Sequence, residues 1–427
     1  MSELISTTYQ QRRDIEGYNQ QQLADHQLQR LNQLLADILP TNQFYAQQLR
    51  DIKLPLNSLD QLADLSYTFK DQLSEAENKT GFAANLTYPF QEYTRFHRTS
   101  GTRGKPLMVL DSQSDWQWWI DTWQFVLDAA DVTPKDRVVM AFSFGPFIGF
   151  WSAFDSTVAR GALVAPTGGM TTLARLEIIR STKATLVFCT PSYALHLAEV
   201  GQQNQIDVAK LEVSRIIVAG EPGGSIPEIR DRISGLWGAR VIDHSGASEV
   251  GPWGYADPKG RGLFVNESEF IAEFLSIEHG GPAAEGELSE LVLTTLGRKG
   301  SPVIRYRTGD LVRPSWNDDQ DCQFVLLVGG VLGRTDDMMI VRGVNIFPSS
   351  IERILRSFPE VIEYRMVASK NGSMDELRIE IEDRLEQPKR VVDELSVKLG
   401  LRVDVTCVPI GSLPRYELKG KRFVDNR

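Results

Sequence analysis

The chain has 427 residues, of which 42% are hydrophobic, with 46 Lys and Arg against 56 Asp and Glu. That length exceeds one ordinary core and predicts two or three compact units, and the composition excludes both a disordered chain and a membrane-embedded one. A formal charge of −10 with no basic stripe argues against a nucleic-acid partner, whose phosphates demand clustered cations.

At the amino end, residues 1–14 are polar and lack the basic start and apolar core of a secretory signal. No later apolar run approaches the roughly 20 residues that cross a bilayer, so a cytoplasmic location and no membrane partner are expected. Residues 15–65 read as helical, with Leu31, Leu34, Leu35 and Ile38 on one face. The segment Thr99-Ser100-Gly101-Thr102-Arg103-Gly104-Lys105-Pro106 then combines small residues, hydroxyls and a Lys, which suits backbone approach to a polyphosphate. It is not a Walker A loop, because Pro follows Lys105.

From about 137 to 245, β-branched runs at 138–142, 162–165, 185–189, 215–219 and 239–242 alternate with helical stretches. That alternation predicts βαβ crossovers and a parallel sheet, with ligands at the carboxyl ends of its strands. Asp243-His244-Ser245-Gly246-Ala247-Ser248-Glu249 follows the last of these runs, which would set Glu249 at the carboxyl edge of the sheet, a place suited to holding a Mg²⁺–phosphate complex. His244, Ser248 and Glu249 superficially suggest a hydrolase, but Val250 stands where a nucleophile elbow needs Gly. Cys189, Cys322 and Cys407 are too scattered for a disulfide framework or thiolate zinc site.

Beyond about 260 the pattern turns to strands, clearest at 287–294 and 323–327, which predicts a β-rich subdomain. Arg305-Tyr306-Arg307-Thr308-Gly309-Asp310 places a carboxylate after a tight Gly, suited to both hydroxyls of a ribose. Gly333-Arg334-Thr335-Asp336-Asp337 lies at the predicted boundary. A small α/β unit follows, with a helical stripe at Ile351, Ile354, Leu355 and Phe358 and strand-like alternation at Leu377, Ile379 and Ile381. Near the end stands Leu413-Pro414-Arg415-Tyr416-Glu417-Leu418-Lys419-Gly420-Lys421-Arg422.

In this order the motifs resemble the adenylate-forming superfamily of acyl-CoA synthetases, adenylation domains and luciferases, and within it the phenylacetate–CoA ligase family. Phe142–Phe147, Gly168-Gly169-Met170, Thr190-Pro191-Ser192-Tyr193 and Ala219-Gly220-Glu221-Pro222 add to the likeness, which runs from about residue 90 to 425. It implies an α/β fold: a large domain over 1–332 with parallel sheets flanked by helices and a β-rich subdomain, a hinge at 333–337, and a small mobile α+β domain over 338–427. Ser100, Gly101, Thr102, Gly104 and Lys105 would embrace phosphates, Glu249 would ligate Mg²⁺, and Asp310 and Arg334 would grip ribose. Gly220, Glu221, Pro222, Asp243, His244, Ser245, Gly246 and Ser248 would complete the nucleotide site. Asp336 would be the pivot, Lys419 the catalytic lysine of the small domain with Lys421 its rival, and Gly343 part of the thiol-transfer face. Phe144 and Phe147, with Gly246 and Ala247, would line the acyl pocket.

The implied reaction joins ATP to a small, aromatic carboxylic acid as acyl-AMP, then transfers the acyl group to coenzyme A. A carrier-protein thiol or an amine is the rival acceptor, and a homodimer fits the relatives. One residue departs from the pattern. Ser245 stands where relatives carry an adenine-stacking Tyr, so His244 or another aromatic must take over, or the chain is a degenerate nucleotide-binding protein.

Overall fold

In a computed structural model the described residues are 5–75, 81–99, 106–316, 321–337, 339–341, 344–371, 374–399, 403–415 and 422–426. The predicted amino-terminal helix divides into Tyr9–Glu16, Gln20–Ile38 and Gln43–Gln48. Gln20–Ile38 starts where Asn19 accepts the Gln22 amide and Gln22 accepts the Asn19 amide in return. Its predicted stripe, Leu31, Leu34, Leu35 and Ile38, is buried against Tyr45, Ile271 and Leu296. Pro40 lies just beyond its end, where a helix cannot continue.

A nine-stranded sheet organises the large lobe. Its order is Pro314–Ser315, Leu326–Val328, Gly262–Val265, Gly251–Ala256, Arg240–Ala247, Arg215–Val218, Leu186–Cys189, Arg137–Met140, Leu163–Pro166. The last five are parallel, as the βαβ pattern requires, and the first four extend the sheet antiparallel. Alternate residues feed two cores: Val138, Met140, Leu186 and Phe188 face one, and Val139, Ala141, Val187 and Cys189 the other. Period-two side-chain direction in a doubly covered sheet produces that division.

The β-rich part differs in one respect from expectation. Ser289–Thr295 lies between Phe270–Ser276 and Tyr306–Val312, which in turn pairs with Gly333–Arg334, in a separate four-stranded sheet, but Leu326–Val328 joins the large sheet instead. Beyond residue 346, Ile351, Ile354, Leu355, Ile379, Ile381, Val391 and Leu395 make a core of their own. They come from helices Pro348–Arg356 and Pro388–Leu399 packed on a sheet ordered Asp404–Cys407, Met374–Asp383, Val361–Asn371, Phe423–Asp425. No helix among the described residues is long and apolar enough to cross a membrane.

Candidate active site

Strand Arg240–Ala247 outruns its parallel neighbours and turns back on Gly251–Ala256 through a register shift between Ser245 and Ala247. The turn is tight at Gly246, where a Cβ would stand 2.9 Å from the Gly251 carbonyl oxygen and 3.2 Å from Pro252 Cα. A cavity of about 270 Å³ opens there, at the carboxyl edge of the parallel strands. Of the predicted nucleotide residues, Gly220, Glu221, Pro222, Asp243, His244, Ser245, Gly246, Asp310 and Arg334 line it. Ser349, Glu352, Arg422 and Phe423 close it from the small lobe. Ser100, Gly101, Thr102, Gly104, Lys105, Gly343, Lys419 and Lys421 lie outside the described residues.

Asp310 stands opposite Arg334 in an antiparallel pair, directly after Gly309 at φ +75. Arg334 spans two carboxylates, donating from Nη1 to Asp310 at 3.0 Å and from Nε to Asp336 at 2.9 Å. The predicted ribose clamp and the predicted pivot are thereby tied to one guanidinium. Ser248 and Glu249 occupy the next turn, outside the lining set. Glu249 accepts the Tyr306 hydroxyl at 2.9 Å; burial, reinforced by Glu249, holds that phenol well above its ordinary range, so it remains a donor. The other Glu249 oxygen makes no hydrogen bond or ion pair among the described residues.

Glu221 links the two lobes. One oxygen accepts the Ser192 amide at 2.7 Å, at the start of helix Pro191–Gln203, and the other lies 3.7 Å from Arg422 Nη1. Arg422 is itself forked onto Glu363 at 2.6 and 3.0 Å. This lobe-crossing contact had no signal in the sequence beyond the position of Arg422 after Lys419.

A second cavity, about 130 Å³, shares Gly220, His244, Gly246 and Ala247 with the first. Trp119, Trp123, Phe142, Ile148, Phe150, Ala153 and Phe188 form its apolar wall. Phe144 and Phe147, the predicted lining, are not among these residues. Phe144 packs on Phe142, Trp151 and Phe154, and Phe147 precedes helix Ile148–Ala159 and meets Phe150 edge-on. The helix begins one residue too late for Phe147 and presents Ile148 and Ala153 instead. Trp119 and Trp123 were missed, although an i, i+4 aromatic pair on one helix face was their signal.

His244, one of the two candidates for the place of the missing Tyr, lines the cavity. Its ring lies 4.2 Å from that of Trp123 and its Nδ1–H donates to the Gly254 carbonyl at 2.7 Å. Burial drives its imidazole down to about 4, so it is neutral between the cavities. Phe423 is the one Phe, Tyr or Trp among the described residues lining the larger cavity. Asp155 accepts from Trp116 Nε1 and Arg95, as a helix-face residue does.

A parallel sheet thus ends in a bipartite cavity, and a small α+β lobe caps it. Residues 343–427 match the family model described as the AMP-binding enzyme C-terminal domain. The phenylacetate–coenzyme A ligase of Pseudomonas putida is 30% identical over 95% of this chain and 94% of its own length. A 2-hydroxyisobutyryl-CoA ligase in its postadenylation state superposes with a TM-score of 0.88 at 26% identity, over 94% of this chain and 89% of that one. The same enzyme with 2-HIB-AMP and CoA in its thioester-forming state gives 0.74 at 25% identity, over 100% and 94%. The chain belongs to the phenylacetate–CoA ligase family.

Proposed function

We propose that the protein condenses a small aromatic carboxylic acid with ATP and passes the acyl group from AMP to coenzyme A. The observation that carries this reading is the junction of a polar cavity with an apolar one across Gly220, His244, Gly246 and Ala247. A nucleotide in the first and an acyl group in the second would meet there, carboxylate against α-phosphate. An apolar cavity of about 150 Å³ takes a benzene ring, so about 130 Å³ suits one ring or an equally compact group. No Asp, Glu, Lys or Arg is among the described residues lining it, which disfavours acids with a second charge.

Glu249 fits Mg²⁺ as a hard oxygen donor fixed by Tyr306, and no cluster of three or more His, Cys, Asp or Glu able to hold a metal occurs among the described residues. One carboxylate plus substrate phosphates is the usual Mg²⁺ arrangement. When bound, the ion offsets the repulsion between the attacking carboxylate and the phosphate. Asp310 accepts from the ribose hydroxyls while Arg334 orients it, Asp336 serves as pivot, and Lys419 brings positive charge to the α-phosphate. The small lobe then turns to expose the acyl carbonyl to the thiol.

Pyrophosphate release should be strongest with phenylacetate- or benzoate-sized acids and weak with a naphthyl acid, and AMP release should require coenzyme A rather than an amine or carrier protein. Dominant turnover of 2-hydroxyisobutyrate would replace the aromatic assignment with a branched aliphatic one. Ala153→Leu, which puts bulk into the small cavity, should lower kcat/KM for the ring acid about tenfold or more while sparing ATP.

Asp243 supplies a pH test. Burial pushes its carboxyl up to about 6 against the pull of the Ser225 hydroxyl and His244 amide. Above that value it is an ionised acceptor for a nucleotide donor; below it one acceptor is lost. KM for ATP should therefore climb as pH falls through about 6 in the parent, and Asp243→Asn should flatten the profile. A level parent profile would remove Asp243 from the nucleotide site.

A further inference from the structure

A fully buried ion pair, used by none of the roles assigned so far, joins the walls of the site. Arg298 and Asp111 both have 0% side-chain exposure. Arg298 Nε donates to Asp111 Oδ1 at 2.8 Å, and Nη1 donates to the carbonyl oxygen of Ser248 at 2.9 Å. Trp119, a wall of the small cavity, donates its indole N–H to the same Asp111 oxygen at 3.2 Å and lies under the guanidinium, 5.4 Å from ring centre to carbon. Asp111 belongs to strand Met108–Ser112, which pairs with Tyr93–Arg98. From that partner strand His97 turns Nδ1 to within 3.8 Å of Asp111 Oδ2. In sequence the two strands flank Ser100–Lys105.

Stability alone does not account for the pair, because apolar residues of similar volume commonly serve as well as a buried ion pair. Its direction is more informative. An arginine fork reaches two acceptors at fixed angles, which a lysine cannot do. Here one acceptor is rooted in the strand pair and the other is the carbonyl immediately before Glu249. The geometry points to Arg298, held by Asp111, as a positioning residue that locks the Ser248–Glu249 turn to the strand pair and to Trp119, so that metal–nucleotide and acyl group are seated in register. The inference rests on the reading of Glu249 as the Mg²⁺ carboxylate.

The test measures how far Mg²⁺ tightens binding of a non-hydrolysable ATP analogue by calorimetry, alongside the Mg²⁺ concentration for half-maximal pyrophosphate release. Glu249→Gln should lose the tightening. Asp111→Asn combined with Arg298→Met removes both charges, leaving no lone buried ion, and should cut the tightening about 10- to 100-fold, the usual effect of an outer-shell partner, with the thermal midpoint near the parent's. Arg298→Lys retains the charge but loses the fork and should show the same direction; it decides the matter if the double variant does not fold. Trp119→Phe should raise KM for the acid and leave Mg²⁺ dependence unchanged. Parent-like tightening in both Arg298 variants, with Glu249→Gln defective, overturns the positioning role and spares the Glu249 reading; parent-like tightening in Glu249→Gln overturns both.

Discussion

Replacing Lys419 with Ala is expected to lower acyl-adenylate formation by at least about 10²–10³-fold, the usual cost of one preorganised group at a developing anion, while thioester formation from supplied acyl-AMP stays near the parent rate. The first half-reaction brings a carboxylate against a phosphate and needs a cation at the phosphorus; the second has AMP as leaving group and needs room for a thiol. Lys419 lies between two anchored arginines. Arg415 is forked onto Glu382 at 2.6 and 3.2 Å, and Arg422 onto Glu363 with Glu221 3.7 Å away. Arg422, three residues after Lys419 in the sequence, lines the same cavity as Asp310. Half-reaction kinetics with isolated adenylate separate the possibilities. If Lys421→Ala shows the selective defect and Lys419→Ala does not, the rival lysine takes the role. Equal loss of both half-reactions in Lys419→Ala would reject the assignment.

The sequence made visible those features whose chemistry is local. Glycine beside a carboxylate at Gly309-Asp310, the β-branched runs, and the glycine-rich turn ending in Glu249 each announce themselves within about ten residues. Features assembled across the chain stayed hidden. Asp310 and Arg334 could each be assigned alone, but their ion pair exists because sheet pairing sets them opposite one another across 24 residues. Asp111 and Arg298 are 187 residues apart, and neither lies in a motif. The error over Phe144 and Phe147 has the same origin: nearness to a strand end indicates proximity to the site but not direction, which the start of helix Ile148–Ala159 decides. Gly246 and Ala247, whose placement follows from the strand itself, do line both cavities.

Asp310→Ala should raise KM for ATP about a hundredfold, because two hydrogen bonds from ribose hydroxyls to a carboxylate contribute roughly 1.5 kcal/mol or more each and 1.4 kcal/mol is a factor of ten. The fold should tolerate the change: Arg334 has 36% side-chain exposure and keeps Asp336 as partner, so no buried charge is stranded. Asp310→Asn retains one acceptor but turns an amide toward Arg334, and should fall between parent and Ala. The variant also tests whether clamp and pivot are coupled. Freed from Asp310, Arg334 would be held by Asp336 alone, and the orientation of the small lobe would lose one of its ties to the ribose site. The chain superposes more closely on a postadenylation structure of 2-hydroxyisobutyryl-CoA ligase than on its thioester-forming one, with TM-scores of 0.88 and 0.74. Asp310→Ala should impair adenylate formation at saturating ATP as well as ATP binding, whereas thioester formation from supplied acyl-AMP, measured at saturation, should be little changed. A pure KM effect with parent kcat in both steps would show that Asp310 binds ribose without influencing the lobe.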